Sequence, residues 1–167
     1  LLLADQQLGP KAILDKLETK LKADIECFVG GESKVTNISN SLSSTQRKQI
    51  VTTAQKISPK NYKKIRPHMV LFDDIKLLED TELQIVLSDV NLEKLAVALT
   101  DVDQDVFSSI MDNLTKGAKD MVQQYLELKA DTTNLNQKEK AQDEIIKMLK
   151  KLDSQGKINL MEKLKNV

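Results

Sequence analysis

Residues 69–100 read MVLFDDIKLLEDTELQIVLSDVNLEKLAVALT, and this stretch decides the fold. Leu83, Val86, Leu87 and Val90 recur at steps of three and one, and Leu92, Leu95, Ala96 and Leu99 repeat the pattern after Asn91. Such spacing lines up apolar side chains on one face of a helix. The same period continues toward the C-terminus in Phe107, Ile110, Met111 and Leu114, then in Ala118, Met121, Val122 and Tyr125, and last in Ala141, Ile145, Met148, Leu149 and Leu152. Toward the N-terminus it returns in Leu14, Leu17, Leu21 and Ile25. No period-two run or Asn-Gly hairpin signal interrupts it. The chain is therefore expected to be all-α, with about ten helices of roughly 8 to 18 residues.

The punctuation is helical too. Ser58 before Pro59 reads as an N-cap followed by proline at the first helical position. Asn136 with Glu139 has the spacing of a capping box. Gly30 and Gly31 are expected to end the first long helix and Gly156 the last long one, since glycine accepts a left-handed backbone. Short connections between short amphipathic helices favour an armadillo-like stack. A boundary is expected at Arg66 and Pro67, where the proline disfavours a continuous helix, the compact run Met69, Val70, Leu71, Phe72 follows, and the local charge changes sign.

The formal net charge of zero hides that sign change. Residues 46–66 hold Arg47, Lys48, Lys56, Lys60, Lys63, Lys64 and Arg66 with no acid, whereas residues 73–105 hold ten acids against Lys76 and Lys94. The pattern fits two solvated faces of opposite sign, or a basic module meeting an acidic one in the same or a neighbouring subunit, which would extend an assembly head to tail. The chain starts at Leu1, shows no signal peptide and no long apolar run, and is expected to be a fragment of something longer. Cys27 is the only cysteine and reads as a small core residue.

Chemistry is thin. His68 is the only histidine, so no histidine pair can hold a metal, and no phosphate loop, nucleophile elbow or dinucleotide fingerprint occurs. Asp73 and Asp74 read as first-turn acids rather than a catalytic pair. No enzyme activity, cofactor or small-molecule substrate is expected. The cluster Lys60, Lys63, Lys64 and Arg66 leaves a weak nucleic-acid-binding helical-repeat module as an alternative, although five aromatics and neutral net charge argue against nucleic acid as a partner.

Three stretches in order, MVLFDDI, DTELQIVLSDV with NLEKLAVAL, and AQDEIIKMLKKLDSQGKI, resemble the C-terminal domain of the flagellar motor switch family (FliG). Residues 10–66 resemble the last part of that family's middle domain, including its Gly-Gly. The resemblance implies armadillo-like right-handed helical layers followed by a small C-terminal helical subdomain. Residues 1–66 would be the end of the middle armadillo-like domain with a linker helix. Residues 67–167 would be the C-terminal domain, with an armadillo layer over 67–100 and a helical subdomain over 101–167. Met69, Val70, Leu71 and Phe72 would form its hinge, Val70 replacing a phenylalanine.

The same resemblance implies a rotor part of the motor switch ring, cytoplasmic and peripheral at the inner membrane. Its implied partners are neighbouring FliG-like subunits, a FliM-type switch protein, the stator's cytoplasmic loop and a membrane-ring protein reached through a region upstream. Where the family carries charges facing the stator, this sequence has Thr100 (a lysine before a glycine in the family), Gly117 (an arginine), Gln124 and Tyr125 (two aspartates) and Thr133 or Asn134 (a later arginine). Lys116, Lys119, Asp120, Glu127 and Lys129 remain nearby, on other faces of a helix that turns about 100° per residue. The expectation is a divergent copy with weakened stator coupling; a fully torque-transmitting subunit is the alternative.

Overall fold

The computed structural model describes Thr19, residues 32–129 and residues 131–167. Among the described residues there are nine α-helices and no strand. They are α1 (Glu32–Ser41), α2 (Ser44–Ile57), α3 (Pro59–Ile65), α4 (Asp80–Asp89), α5 (Leu92–Ala98), α6 (Gln104–Asp112), α7 (Lys116–Lys129), α8 (Leu135–Ser154) and α9 (Leu160–Leu164). Two 3-10 turns, Arg66–His68 and Phe72–Leu77, lie between α3 and α4. The stripe Leu14 to Ile25, the Gly30-Gly31 helix end and Cys27 fall outside the described residues. Helix α8, at 20 residues, is longer than the spacing suggests, and α9, at 5, is shorter.

Local side chains set most boundaries. The Ser43 hydroxyl accepts from the Gln46 amide at 3.3 Å while Ser43 N–H donates to Gln46 Oε1 at 2.9 Å, closing a capping box on α2. Helix α8 opens on the same device two residues earlier than Asn136 and Glu139 imply: Asn134 Oδ1 accepts from Gln137 N–H at 3.0 Å. Glu139 instead accepts from Ser43 Oγ at 3.1 Å, across the molecule. Ser58 stands at the N-cap of α3 ahead of Pro59, but its side chain makes no cap bond. Gly156, at φ 67°, ends α8, with its own N–H on Asp153 O and Lys157 N–H on Leu152 O.

Two apolar cores result. The larger unites Val70, Phe72, Leu83, Leu95, Ile110, Val122, Leu149 and Leu160 with their neighbours, so residues 70–100 and 101–164 share one interior. The smaller gathers Val35, Val51, Ala54, Ile65, Met69 and Leu71. The apolar run between the modules therefore divides its side chains by parity: Met69 and Leu71 enter the small core, Val70 and Phe72 the large one. Leu71 is extended, at φ −103° and ψ 157°, and successive side chains on extended backbone point to opposite sides.

Between α2 and α8 the contact is polar. Ser44 Oγ donates to Gln142 Oε1 at 2.7 Å, and Gln142 Nε2 donates to Ala98 O at 3.0 Å. Arg47, buried, pairs with Asp143 and also donates to Leu42 O at 2.6 Å. Lys48 reaches Asp73 at 2.6 Å and Asp103 at 3.6 Å. Part of the basic segment thus meets the acidic one within the same chain.

Candidate interaction surface

The segment Met69–Phe72 is flanked by one buried ion pair. Arg66 and Asp74 are each about 95% withdrawn from solvent and face one another, and Arg66 Nη1 also donates to Met69 O at 2.8 Å. Asp74 Oδ2 accepts from Leu71 N–H at 2.7 Å, so the carboxylate caps the turn Phe72–Leu77 while neutralising the guanidinium. Burial raises the Asp74 carboxyl above its ordinary range, outweighing the opposing pull of Arg66 and of the Leu71 amide. The first-turn role of Asp74 is present in that cap, on a 3-10 turn rather than an α-helix. Arg66 is withdrawn from the basic cluster, which leaves Lys60, Lys63 and Lys64 exposed.

His68 is half-buried, with Nδ1 3.3 Å from Thr36 Oγ1. No group of three metal-ligating side chains is gathered among the described residues.

At the other end, α7 is seated through Val122, fully buried, with Ala118, Tyr125 and Leu126 packed partly against the large core. That contact fixes which side faces water. Gly117 and Gln124 are exposed, and a Cβ built on Gly117 would meet nothing within 4 Å. Tyr125, one residue on, is turned toward the core and half-buried. Thr100 is half-buried, its hydroxyl 3.5 Å from Ala96 O. Thr133 Oγ1 donates to Lys129 O at 3.0 Å, and Asn134 is the exposed N-cap of α8. Of the six positions compared with the family's charges, Gly117 and Gln124 share one outward face of α7, whereas Thr100, Tyr125 and Thr133 are partly turned away from solvent.

Among the charges that remain, Lys129 pairs with Glu93 at 3.1 Å. Lys116, Lys119, Asp120 and Glu127 have no ion-pair partner among the described residues. Sequence spacing placed Met121 on the inward stripe, but it is 46% exposed, and Leu128 is 70% exposed. The displaced inward role falls to Leu126, which fits the buried Val122 at a spacing of four. After Thr100 the backbone of Asp101 is left-handed, at φ 53°, a conformation that favours glycine. Among the described residues no helix is long and apolar enough to cross a membrane.

Comparison with known proteins is consistent over most of the chain. The family profile described as FliG C-terminal domain matches residues 52–160. The flagellar motor switch protein FliG of Borreliella burgdorferi is 30% identical over 146 residues, spanning 87% of this chain and 42% of that protein. The FliG of Thermotoga maritima is 29% identical over 153 residues, spanning 87% of this chain and 45% of that protein. The chain thus spans less than half the length of these relatives. A crystal structure of FliG from H. pylori shares the helical fold, with a TM-score of 0.57 at 22% identity over 92% of this chain and 71% of that one.

Proposed function

This chain belongs to the FliG C-terminal domain family, and from that premise we propose that it is a structural rotor part of the flagellar motor switch, with an altered stator-facing rim and no enzymatic role. It works at the cytoplasmic face of the inner membrane. Its partners are neighbouring FliG-like subunits, a FliM-type switch protein, the stator's cytoplasmic loop with weakened coupling, and a membrane-ring protein contacted through a further region. Residues 1–66 end the middle armadillo-like domain and residues 67–167 form the C-terminal domain, joined at the hinge Met69–Phe72.

The observation that carries the altered rim is the pairing of Gly117 and Gln124 on the open face of α7, neither with a charge. Charged side chains on a rigid helix steer and orient an oppositely charged partner more than they hold it, so their loss lowers encounter rate and register. Asp101 supports the register of the comparison, because its left-handed backbone stands where the family has a glycine after its lysine.

The test is complementation of a motor lacking its usual FliG by that FliG with its matching segment replaced by this chain. The chain is expected to join the switch and give poor rotation, and restoring Gly117→Arg with Gln124→Asp to improve swimming. Those two sites are open; Thr100→Lys and Tyr125→Asp are added second, since Tyr125 also packs on the core. Normal rotation by the unaltered chain would reject the altered rim and favour the torque-transmitting alternative, while failure to join the switch would reject the rotor role itself.

A further inference from the structure

The outward face of α7 carries two apolar side chains on a regular helical seam. Gly117, Met121, Gln124 and Leu128 follow one another at steps of four, three and four, the spacing by which one helix offers knobs and holes to another. Met121 and Leu128, the two apolar knobs, are 46% and 70% exposed, and nothing lies within 4 Å of the space a side chain at Gly117 would enter. Immediately before each knob stands an acid, Asp120 and Glu127, both exposed and both without an ion-pair partner among the described residues. The opposite flank carries Ala118 and Tyr125, which face the core and bear no charge.

We infer that this face docks an amphipathic helix of another protein whose apolar seam is flanked by lysine or arginine. The inference deepens the reading of α7 as the working rim and rests on it. Charge selects the occupant. In a second copy running antiparallel, Asp120 and Glu127 would oppose their own counterparts; in a parallel copy they would oppose the Ala118 and Tyr125 flank, where there is no cation to meet. A basic flank satisfies both acids in either direction. The seam is about 17 Å long, at 1.5 Å per residue, which suits a transient contact rather than a permanent one. Recognition thus moves from fixed charges of both signs to a pair of apolar knobs with one acidic edge.

The probes are two synthetic peptides of about three heptads with the same leucine seam, one flanked by lysine and one by glutamate, titrated against the full 167-residue chain by fluorescence anisotropy. The lysine peptide is expected to bind at least about tenfold tighter, with the gap closing as salt rises. Met121→Ser with Leu128→Ser should abolish binding of the lysine peptide, and Asp120→Lys with Glu127→Lys should reverse the preference. Circular dichroism of each variant separates loss of binding from loss of fold. Equal affinity for the two peptides, no binding of either, or full binding by the folded serine variant overturns the inference. A chain that joins the switch yet fails here keeps the rotor role and loses this docking face; one that binds the lysine peptide yet does not join the switch does the reverse.

Discussion

The turn after Arg66, proposed as a hinge, and the outward face of α7, proposed as the rim, treat charge in opposite ways. At the hinge, Arg66 and Asp74 are buried together and satisfy each other and two backbone groups. On the rim, Lys116, Asp120 and Glu127 are exposed and unpaired within the described residues, next to Met121 and Leu128. Removing one partner of a buried pair strands the other in a low-dielectric interior, whereas an exposed charge has water in either case. The buried pair therefore bears on stability, and the exposed α7 charges do not.

The sharpest way to break that contrast is to cut the hinge's apolar anchors one side at a time. Phe72→Ala is expected to cost about 4 kcal/mol, because it opens a cavity in the large core. Leu71→Ala, on the other side of the same backbone, should cost about 3 kcal/mol and act on the small core. Hydrogen exchange reads the two apart: faster exchange of α2 amides for Leu71→Ala, of α6 and α8 amides for Phe72→Ala. If both variants loosened the same helices, the division of the run by parity would be wrong.

Next is the ion pair. Asp74→Ala should cost about 3 kcal/mol by urea unfolding, since Arg66 stays buried without its anion and Leu71 N–H loses its acceptor. Replacing both partners by apolar residues, Arg66→Met with Asp74→Leu, should recover much of that loss. A double variant no better than the single one would show that the backbone bonds, not the stranded charge, dominate.

This pair also marks where sequence stops being legible. The stripes through Leu83, Leu95, Ile110 and Leu149 identify the large core because a helix repeats its environment every three or four residues. Met121 breaks that rule, since an apolar residue on the edge of a stripe is assigned by whichever neighbour seats the helix, and Val122 and Leu126 seat α7. Asn134-x-x-Gln137 and Asn136-x-x-Glu139 fit one cap pattern equally, and only Ser43 engaging Glu139 from α2 separates them. The sign change between residues 66 and 73 was visible, but that Arg66 folds back onto Asp74 depends on the 3-10 turn Arg66–His68, which no periodicity announces.

Between the two extremes lies Glu82, which joins α4 to the C-terminal helix. Its Oε1 accepts from Asn159 N–H at 2.8 Å, and its Oε2 meets Lys163. Burial works to raise its pKa, but the hydrogen bonds from Lys163, Glu79 and Asn159 prevail and hold it below the ordinary 4.5. A carboxylate held low in the fold adds stability above its unfolded value and loses it as pH falls through the folded one. Below about pH 4.5 the amides of α9 should therefore lose protection against exchange, relative to the intrinsic rate at each pH, and Glu82→Gln should flatten that dependence at a cost of about 2 kcal/mol at neutral pH. An α9 protection factor independent of pH there would place Glu82 with the exposed α7 charges instead.

The smallest effect belongs to the rim itself, at Gly117. Its backbone is helical, its surroundings are open, and it lies in the first turn of α7, where Thr115 Oγ1 accepts from Ala118 N–H at 3.4 Å. Gly117→Ala should stabilise by about 0.5 kcal/mol, less than the roughly 1 kcal/mol of a helix interior because only one side of the position is helical. Gly117→Arg gains similar propensity but sets a cation at the positive end of the helix dipole, at about 0.3 kcal/mol, so it should unfold within about 0.5 kcal/mol of the unaltered chain. Matched urea midpoints for Ala and Arg, with only Arg changing motility, would show that the rim tolerates charge at no structural cost and that its absence here concerns the partner. A loss above about 1 kcal/mol for Arg alone would mean that α7 is packed more tightly than its open face implies.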